Sequence, residues 1–257
     1  MTDIHPSSII KPGAEIGEDC HIGPYCIIGS DVRMGNHNIL HSAVVLDGRT
    51  TIGSDNKFFH AAVIGSASQD LKDKGDPTEL IIGDNNTFRE FCTVNKSANM
   101  DHPTIIGDDC LLMAYSHVAH DCRLGNRVIL ANAVNLAGHC ELQNNVTVGG
   151  MSAMSQFVRI GQYVFIGGMS GINKDIPPYV RGVGLPFKVV GINSVGLERA
   201  GFSEESRHSI KEIYRIFYRS ELNVSQAMEK TQELKPFTPE QEIFLEFIKG
   251  SQRGLLT

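Results

Sequence analysis

Large apolar residues recur at every sixth position of this chain. Counted from Ile4, one phase carries Ile10, Ile16, Ile22, Ile28, Met34, Leu40, Leu46, Ile52, Phe58 and Ile64. It resumes at Ile82, Phe88 and Val94, then runs unbroken from Ile106 to Ile172. Only Asp70 and Asp76 put a polar residue in that phase. The position two residues earlier is restricted as well, to small or branched residues such as Ala14, Cys20, Cys26, Val32, Val44, Cys92, Cys110, Cys122, Val134 and Cys140. Strand side chains two apart share a face. Each six-residue unit therefore predicts a short strand with one small and one large inward residue, followed by a turn. Glycine often comes directly after the large residue, as at Gly17, Gly35, Gly53, Gly83, Gly107 and Gly125, and is the expected turn opener. Units that repeat in this way stack and bury one continuous core.

Two polar segments leave the pattern and return in phase. They are "QDLKDKGDPTEL" at 69–80, which holds both exceptions, and "NKSANMDHPT" at 95–104. Each is expected to bulge from a corner, and loops on a regular scaffold are where function collects. After "DIPPYV" the period changes. Ser203 is a candidate N-cap ahead of the stripe Ile210, Ile213, Tyr214 and Phe217. A second helix opens with Thr238, Pro239 and Gln241 as cap, first turn and capping box, and ends at Gly250. A third is expected around Val224 to Leu234. The chain thus divides into a repeat domain over 1–180 and a helical domain over 181–257.

Composition removes several alternatives. All six cysteines fall at the small inward position, which explains them as buried hydrophobes without disulfides or metal. A net charge of −6 and a pI near 5.9 give no bulk attraction to nucleic acid or anionic lipid. "MTDIHPSS" is polar from its second residue and no apolar run reaches membrane length. The expectation is a cytoplasmic protein without membrane insertion.

The units resemble the hexapeptide repeats of left-handed parallel β-helices, a mostly β fold in which three units close an 18-residue coil. Residues 18 apart then sit about 4.8 Å from one another. In "SHVAHDC", Val118 occupies the inward phase, so His120 and Asp121 fall in the following turn, outward at a corner, while His117 points out from the flat face. Columns of 18 place Gly138, His139 and Gln156 beside them. A base, a carboxylate, a bare backbone amide, a second imidazole and a carboxamide suit deprotonation of a hydroxyl and stabilisation of an oxyanion. Turn positions of such a helix are polar in any case, and His117, His120 and His139 also make three zinc ligands on paper, so the ridge alone leaves these readings open.

"SHVAHDCRLGNRVILANAVNLAGH", "QDLKDKGDPTEL", "SQFVRIGQYVFIGG" and "DIPPYVRGVGLPF" together resemble the UDP-N-acetylglucosamine O-acyltransferases that open lipid A synthesis. The resemblance covers nearly the whole chain. It implies His120 as general base on the glucosamine 3-hydroxyl, oriented by Asp121, with the Gly138 amide holding the oxyanion. The donor would be an (R)-3-hydroxyacyl chain on acyl carrier protein. His117, His139 and Gln156 would contact the sugar, pantetheine or acyl portions. Gln69, Asp70 and Lys72 would reach the site across the interface of a homotrimer whose active sites lie between subunits. Gly168 matches the family's hydrocarbon ruler and implies a long acyl chain. Asn193 and Arg199 would bind the nucleotide. No metal is implied, and no cofactor beyond the pantetheine on the carrier. Three positions depart from the family pattern: Ser155 where His is frequent, Val195 where Glu is usual, and Ala200 where a second Arg usually follows the first. These leave open whether the acceptor is UDP-N-acetylglucosamine or its 3-amino analogue. Finally, Arg207, Lys211, Arg215 and Arg219 recur at fours, a stripe suited to an acidic carrier protein or simply to solvent.

Overall fold

The computed structural model describes residues 1–256. Its strands are mostly two residues long and lie in three parallel sheets of 11, 9 and 8 strands, which form the left-handed β-helix. The first face carries Ile22, Leu40, Phe58, Phe88, Leu112, Leu130, Val148 and Ile166. The second carries Ile28, Leu46, Ile64, Val94, Val118, Leu136 and Met154, and the third Met34, Ile52, Ile82, Ile106, Leu124, Leu142 and Ile160. These residues and all six cysteines are buried. Register is 18 residues per coil, as in Val118 opposite Leu136. Across the first excursion it becomes 30, Ile64 opposite Val94, and across the second 24, Ile82 opposite Ile106. The insertions are thus whole multiples of six, so the inward phase survives them. Met100 keeps the phase in sequence but lies in the second excursion, exposed.

The turns differ from the expectation in one respect. Gly65 apart, the glycine after the large residue does not supply the left-handed backbone. Positive φ falls two residues later, on non-glycine residues such as Asp19, His37, Asp55, Tyr115, Asp121 and His139. The glycines are required by close approach instead. A Cβ on Gly17 would stand 2.5 Å from Asn36 Oδ1 of the next coil, and one on Gly35 2.7 Å from Ser54 Oγ.

At the C-terminal end, the strand Val180–Val183 continues the first face and turns back antiparallel to Lys188–Ile192. Helices α1 (Ser194–Arg199), α2 (Glu204–Tyr218), α3 (Val224–Lys230, extended by a 3₁₀ turn to Leu234) and α4 (Pro239–Lys249) follow. Ser203 caps α2, and Thr238 with Gln241 forms the capping box of α4. The hairpin and α1 have too few residues for a period to show in sequence. Tyr179, Phe187 and Leu197 are buried where these elements meet the last coil, and Phe202 packs edge-on against Tyr163 and Tyr179. This covers an end that would otherwise expose the core. Arg159 ties the third face to α4 through Glu141, the Gly250 carbonyl and the Phe247 ring.

Candidate active site

His120 and Asp121 sit in the turn between the second and third faces, but they are not exposed as the repeat alone suggests: both are buried. The excursion at 95–104 roofs them. Ser97 Oγ donates to Asp121 Oδ1 at 2.6 Å, and the Ala98 and Asn99 amides approach the same carboxylate at 3.3 Å. Thr104 Oγ1 accepts the Asp121 amide at 2.8 Å. Burial works to raise the Asp121 pKa, yet the Ser97 and His120 hydrogen bonds outweigh it and hold the carboxyl below the usual carboxylate range. Asp121 is therefore ionised near neutrality. His120 Nδ1 lies 2.6 Å from Asp121 Oδ2. A proton on Nδ1 donated to that carboxylate leaves Nε2 as the free base of the neutral ring.

Gly138 is adjacent to the ring, as the column of 18 requires. A Cβ there would stand 2.5 Å from His120 Cε1 and 2.6 Å from Nε2, so only glycine lets the imidazole lie flat on this backbone. Gly138 is buried, and its N–H donates to no protein acceptor among the described residues. His139 meets His120 edge-on, with ring centroids 5.2 Å apart, and stacks on Phe157 at 4.4 Å. Burial lowers the pKa of His139 and of His117, and the neighbouring His120 lowers both further. Three donor atoms of His120, Asp121 and His139 lie within 4.8 Å of one another. This is the triplet the structure brings together, in place of His117, His120 and His139. Its carboxylate is already engaged by His120 and Ser97.

A cavity of about 520 Å³ opens from His120 along the second face. Gln69, Asp70, Leu71, Lys72, His117, Asn135, Ala137, Ala153 and Gln156 line it. The excursion at 69–80 folds back onto its own chain's corner, so Gln69, Asp70 and Lys72 reach the site without a partner subunit. Thr78 and Lys96 lock the two excursions together, with Lys96 Nζ 2.8 Å from Thr78 Oγ1. His117 lines the cavity, its Nδ1 2.7 Å from Thr93 Oγ1. Gln156 is exposed and its carboxamide makes no hydrogen bond among the described residues. Ala153 and Met154 lead into an adjoining apolar groove floored by Ser155 and Gly171 and ended by Leu185 and Pro186. Gly168 lies on a different corner, between the first and second faces, and is exposed; a Cβ there would press on the backbone of the preceding coil, 3.1 Å from the Gly150 carbonyl oxygen.

Asn193 and Arg199 are remote from His120 within one chain. They line a separate cavity of about 760 Å³ beside the first face, with Arg127, Tyr163, Phe165, Arg181, Val195 and Ala200. Asn193 caps α1 through its oxygen and donates its amide to the Tyr163 carbonyl, so both ends of the side chain are engaged. The basic stripe is only half free. Arg207 faces Glu198 and Arg219 donates to the Val190 carbonyl, whereas Lys211 and Arg215 are exposed without a partner among the described residues.

Ser97 escaped the column of 18 because the second excursion adds six, and Thr104 because it stands 17 and not 18 residues before Asp121. Counted at 24, Ser97 falls directly over Asp121.

Two family models match the chain. One is described as UDP N-acetylglucosamine O-acyltransferase, domain 2, over residues 175–256. The other is bacterial transferase hexapeptide (six repeats), over 13–48 and 103–138. The acyl-[acyl-carrier-protein]–UDP-N-acetylglucosamine O-acyltransferase of Thermodesulfovibrio yellowstonii is 44% identical over 256 residues, 99% of each chain. Its counterpart in Chlamydia caviae is 47% identical over 99% of this chain and 92% of its own. The solved UDP-N-acetylglucosamine acyltransferase of Bacteroides fragilis superposes with a TM-score of 0.96 at 40% identity, covering 99% of this chain and 100% of that one.

Proposed function

Because the chain belongs to the family of UDP-N-acetylglucosamine O-acyltransferases, we propose that it moves an (R)-3-hydroxyacyl chain from acyl carrier protein to the 3-hydroxyl of UDP-N-acetylglucosamine, the opening step of lipid A synthesis. The observation that carries the mechanism is the pairing of a carboxylate-held imidazole with an unspent backbone amide, His120 and Gly138. Nε2 of His120 takes the proton of the sugar hydroxyl as its oxygen attacks the thioester carbon. The Gly138 N–H receives the oxyanion. Collapse of the intermediate expels the pantetheine thiolate, and the imidazolium returns the proton to sulfur. Asp121 stays ionised throughout and stabilises the imidazolium.

Lys72, Asp70, His117 and Gln156 orient the sugar and pantetheine from the cavity rim. The acyl chain follows the groove of small residues along the second face, and Gly168 leaves its far end open to a long chain. The nucleotide occupies the cavity of Arg199 in a neighbouring subunit of a homotrimer. Support for such an assembly comes from Tyr25, Phe91, Tyr115, Met151 and Met169, large apolar residues exposed along the corner between the first and second faces. Lys211 and Arg215 steer the acidic carrier. No helix is long and apolar enough to cross a membrane, and the proposed setting is the cytoplasm.

A product assay tests this reading, with UDP-N-acetylglucosamine and its 3-amino analogue offered against hydroxyacyl carriers of graded length. The sugar should be acylated once, and His120→Ala should reduce turnover by about 10²–10⁴-fold. Turnover close to the parent's would place the base elsewhere.

A further inference from the structure

The cavity beside the first face has a charge that the departures at Val195 and Ala200 do not explain. Three arginines converge on it from three elements: Arg127 from a corner turn, Arg181 from the strand Val180–Val183, and Arg199 from the end of α1. No aspartate or glutamate is among its lining residues. Arg127 is partly spent, its Nε donating to Asn145 Oδ1 at 2.8 Å. Arg181 and Arg199 form no ion pair or side-chain hydrogen bond among the described residues, and both are exposed. Arg181 lies across from Gly191 in the hairpin, and its Nε passes 3.7 Å from where a Cβ on that glycine would stand. The Arg181 side chain therefore passes over the bare backbone of Gly191 at the cavity wall. Two unpartnered guanidinium forks facing one space, with Tyr163 and Phe165 beside them, fit a planar base that carries two phosphates.

We propose that Arg181 is a phosphate-binding residue of the nucleotide cavity, sharing the diphosphate with Arg199 and supplying the second guanidinium that Ala200 does not. This rests on the reading that the cavity takes the nucleotide. Val195 is consistent with it, because a carboxylate there would offset the charge that the phosphates meet. Arg181 touches the sugar nucleotide far from the reacting carbonyl, so its contribution is uniform binding and appears in KM and not in kcat.

Calorimetric titration of the intact enzyme with UDP and, separately, with uridine distinguishes the outcomes. Arg181→Ala should weaken UDP by about tenfold or more while leaving uridine unchanged, and Arg181→Lys should fall between, since a lysine keeps the charge but loses the fork. KM for UDP-N-acetylglucosamine should rise in parallel, with kcat and the carrier's KM unchanged. Unaltered UDP affinity in Arg181→Ala, with Arg199→Ala weakened, would overturn the role of Arg181 and leave the cavity's assignment standing. If neither variant weakens UDP, the nucleotide binds elsewhere and both readings fall. Equal losses for UDP and uridine in Arg181→Ala would mark a structural effect and overturn the proposal as well.

Discussion

The corner after the third face and the corner after the second face are made from the same hexad and use it oppositely. After the third face, successive corner amides from Glu18 to Asn126 are capped by the side chain one coil on. Glu18 N–H donates to Asn36 Oδ1 at 2.8 Å, Asn36 to Ser54 Oγ at 3.1 Å, Ser54 to Asp84 at 2.6 Å, Asp84 to Asp108 at 2.9 Å, Asp108 to Asn126 at 2.9 Å and Asn126 to Asn144 at 2.8 Å. After the second face, the same positions hold His120, Gly138 and Gln156. The ladder would give the Gly138 amide to Gln156, and that bond is not made. A buried N–H without a partner is costly. Here it lies beside the His120 ring. One corner spends its amides on side chains of the next coil; at the other, the Gly138 amide has no acceptor among the described residues.

Gly138→Ala breaks the second corner most directly. The new methyl occupies space within 2.6 Å of His120 Nε2, so the ring or the amide must shift. Displacements of that size cost at least about 10²-fold in kcat, and near-parent turnover would show that the ring does not depend on this flat surface. Ser97→Ala comes next. It removes one hydrogen bond to a buried carboxylate, worth roughly 1.5–3 kcal/mol, and should lower kcat by about tenfold while the fold persists. Asp121 has a depressed pKa, so its ionised form prevails above the carboxylate range and is lost as pH falls through that depressed value. Without Ser97 the loss should begin at higher pH, and an acid limb unmoved in the pH–rate profile would contradict the roof's role.

The remaining corner offers a subtler contrast. Gly168 is exposed, and a Cβ there would meet the Gly150 carbonyl at 3.1 Å, a close contact relieved by a shift of a few tenths of an ångström, whereas one on Gly138 would strike the His120 ring. Gly168→Met should therefore fold, keep turnover on short hydroxyacyl carriers and lose preference for long ones. An unchanged chain-length profile would remove Gly168 from the acyl path. At the capped corner, Asn126→Ala should cost about 1 kcal/mol of stability, seen as a lower denaturant midpoint, with kcat unaffected.

What sequence could and could not show follows from the same geometry. The six-residue phase specified the core because inward residues answer to one constraint repeated in every coil. The columns brought Gly138 and His139 to His120 for that reason. The roof was illegible because excursions carry no period: nothing in "NKSANMDHPT" marks Ser97 until the offset of 24 is known. Burial of His120 and Asp121 follows from that loop and not from their own turn. The true origin of the positive φ was hidden as well, since aspartate, histidine, tyrosine and arginine all tolerate it here.

The smallest expected effect separates the corners by titration. Burial, followed by the charge of His120, depresses His117. Burial leads again at His139, where Asp121 partly opposes it. Between each depressed folded value and the ordinary 6.5, the unfolded chain binds more protons than the native one at these sites. Stability from them is therefore complete above the ordinary histidine value and lost as pH falls through the window below it. At the other corner the Asn and Ser caps carry no ionisable group and the two Asp caps, Asp84 and Asp108, are carboxylates. Comparing urea midpoints near neutral and mildly acidic pH for the parent and the double variant His117→Asn, His139→Gln isolates the two rings from the remaining histidines. The variant should lose less stability on acidification than the parent. Equal losses would mean that neither ring is held neutral by its burial, and the two imidazoles would not set this corner apart from the capped one.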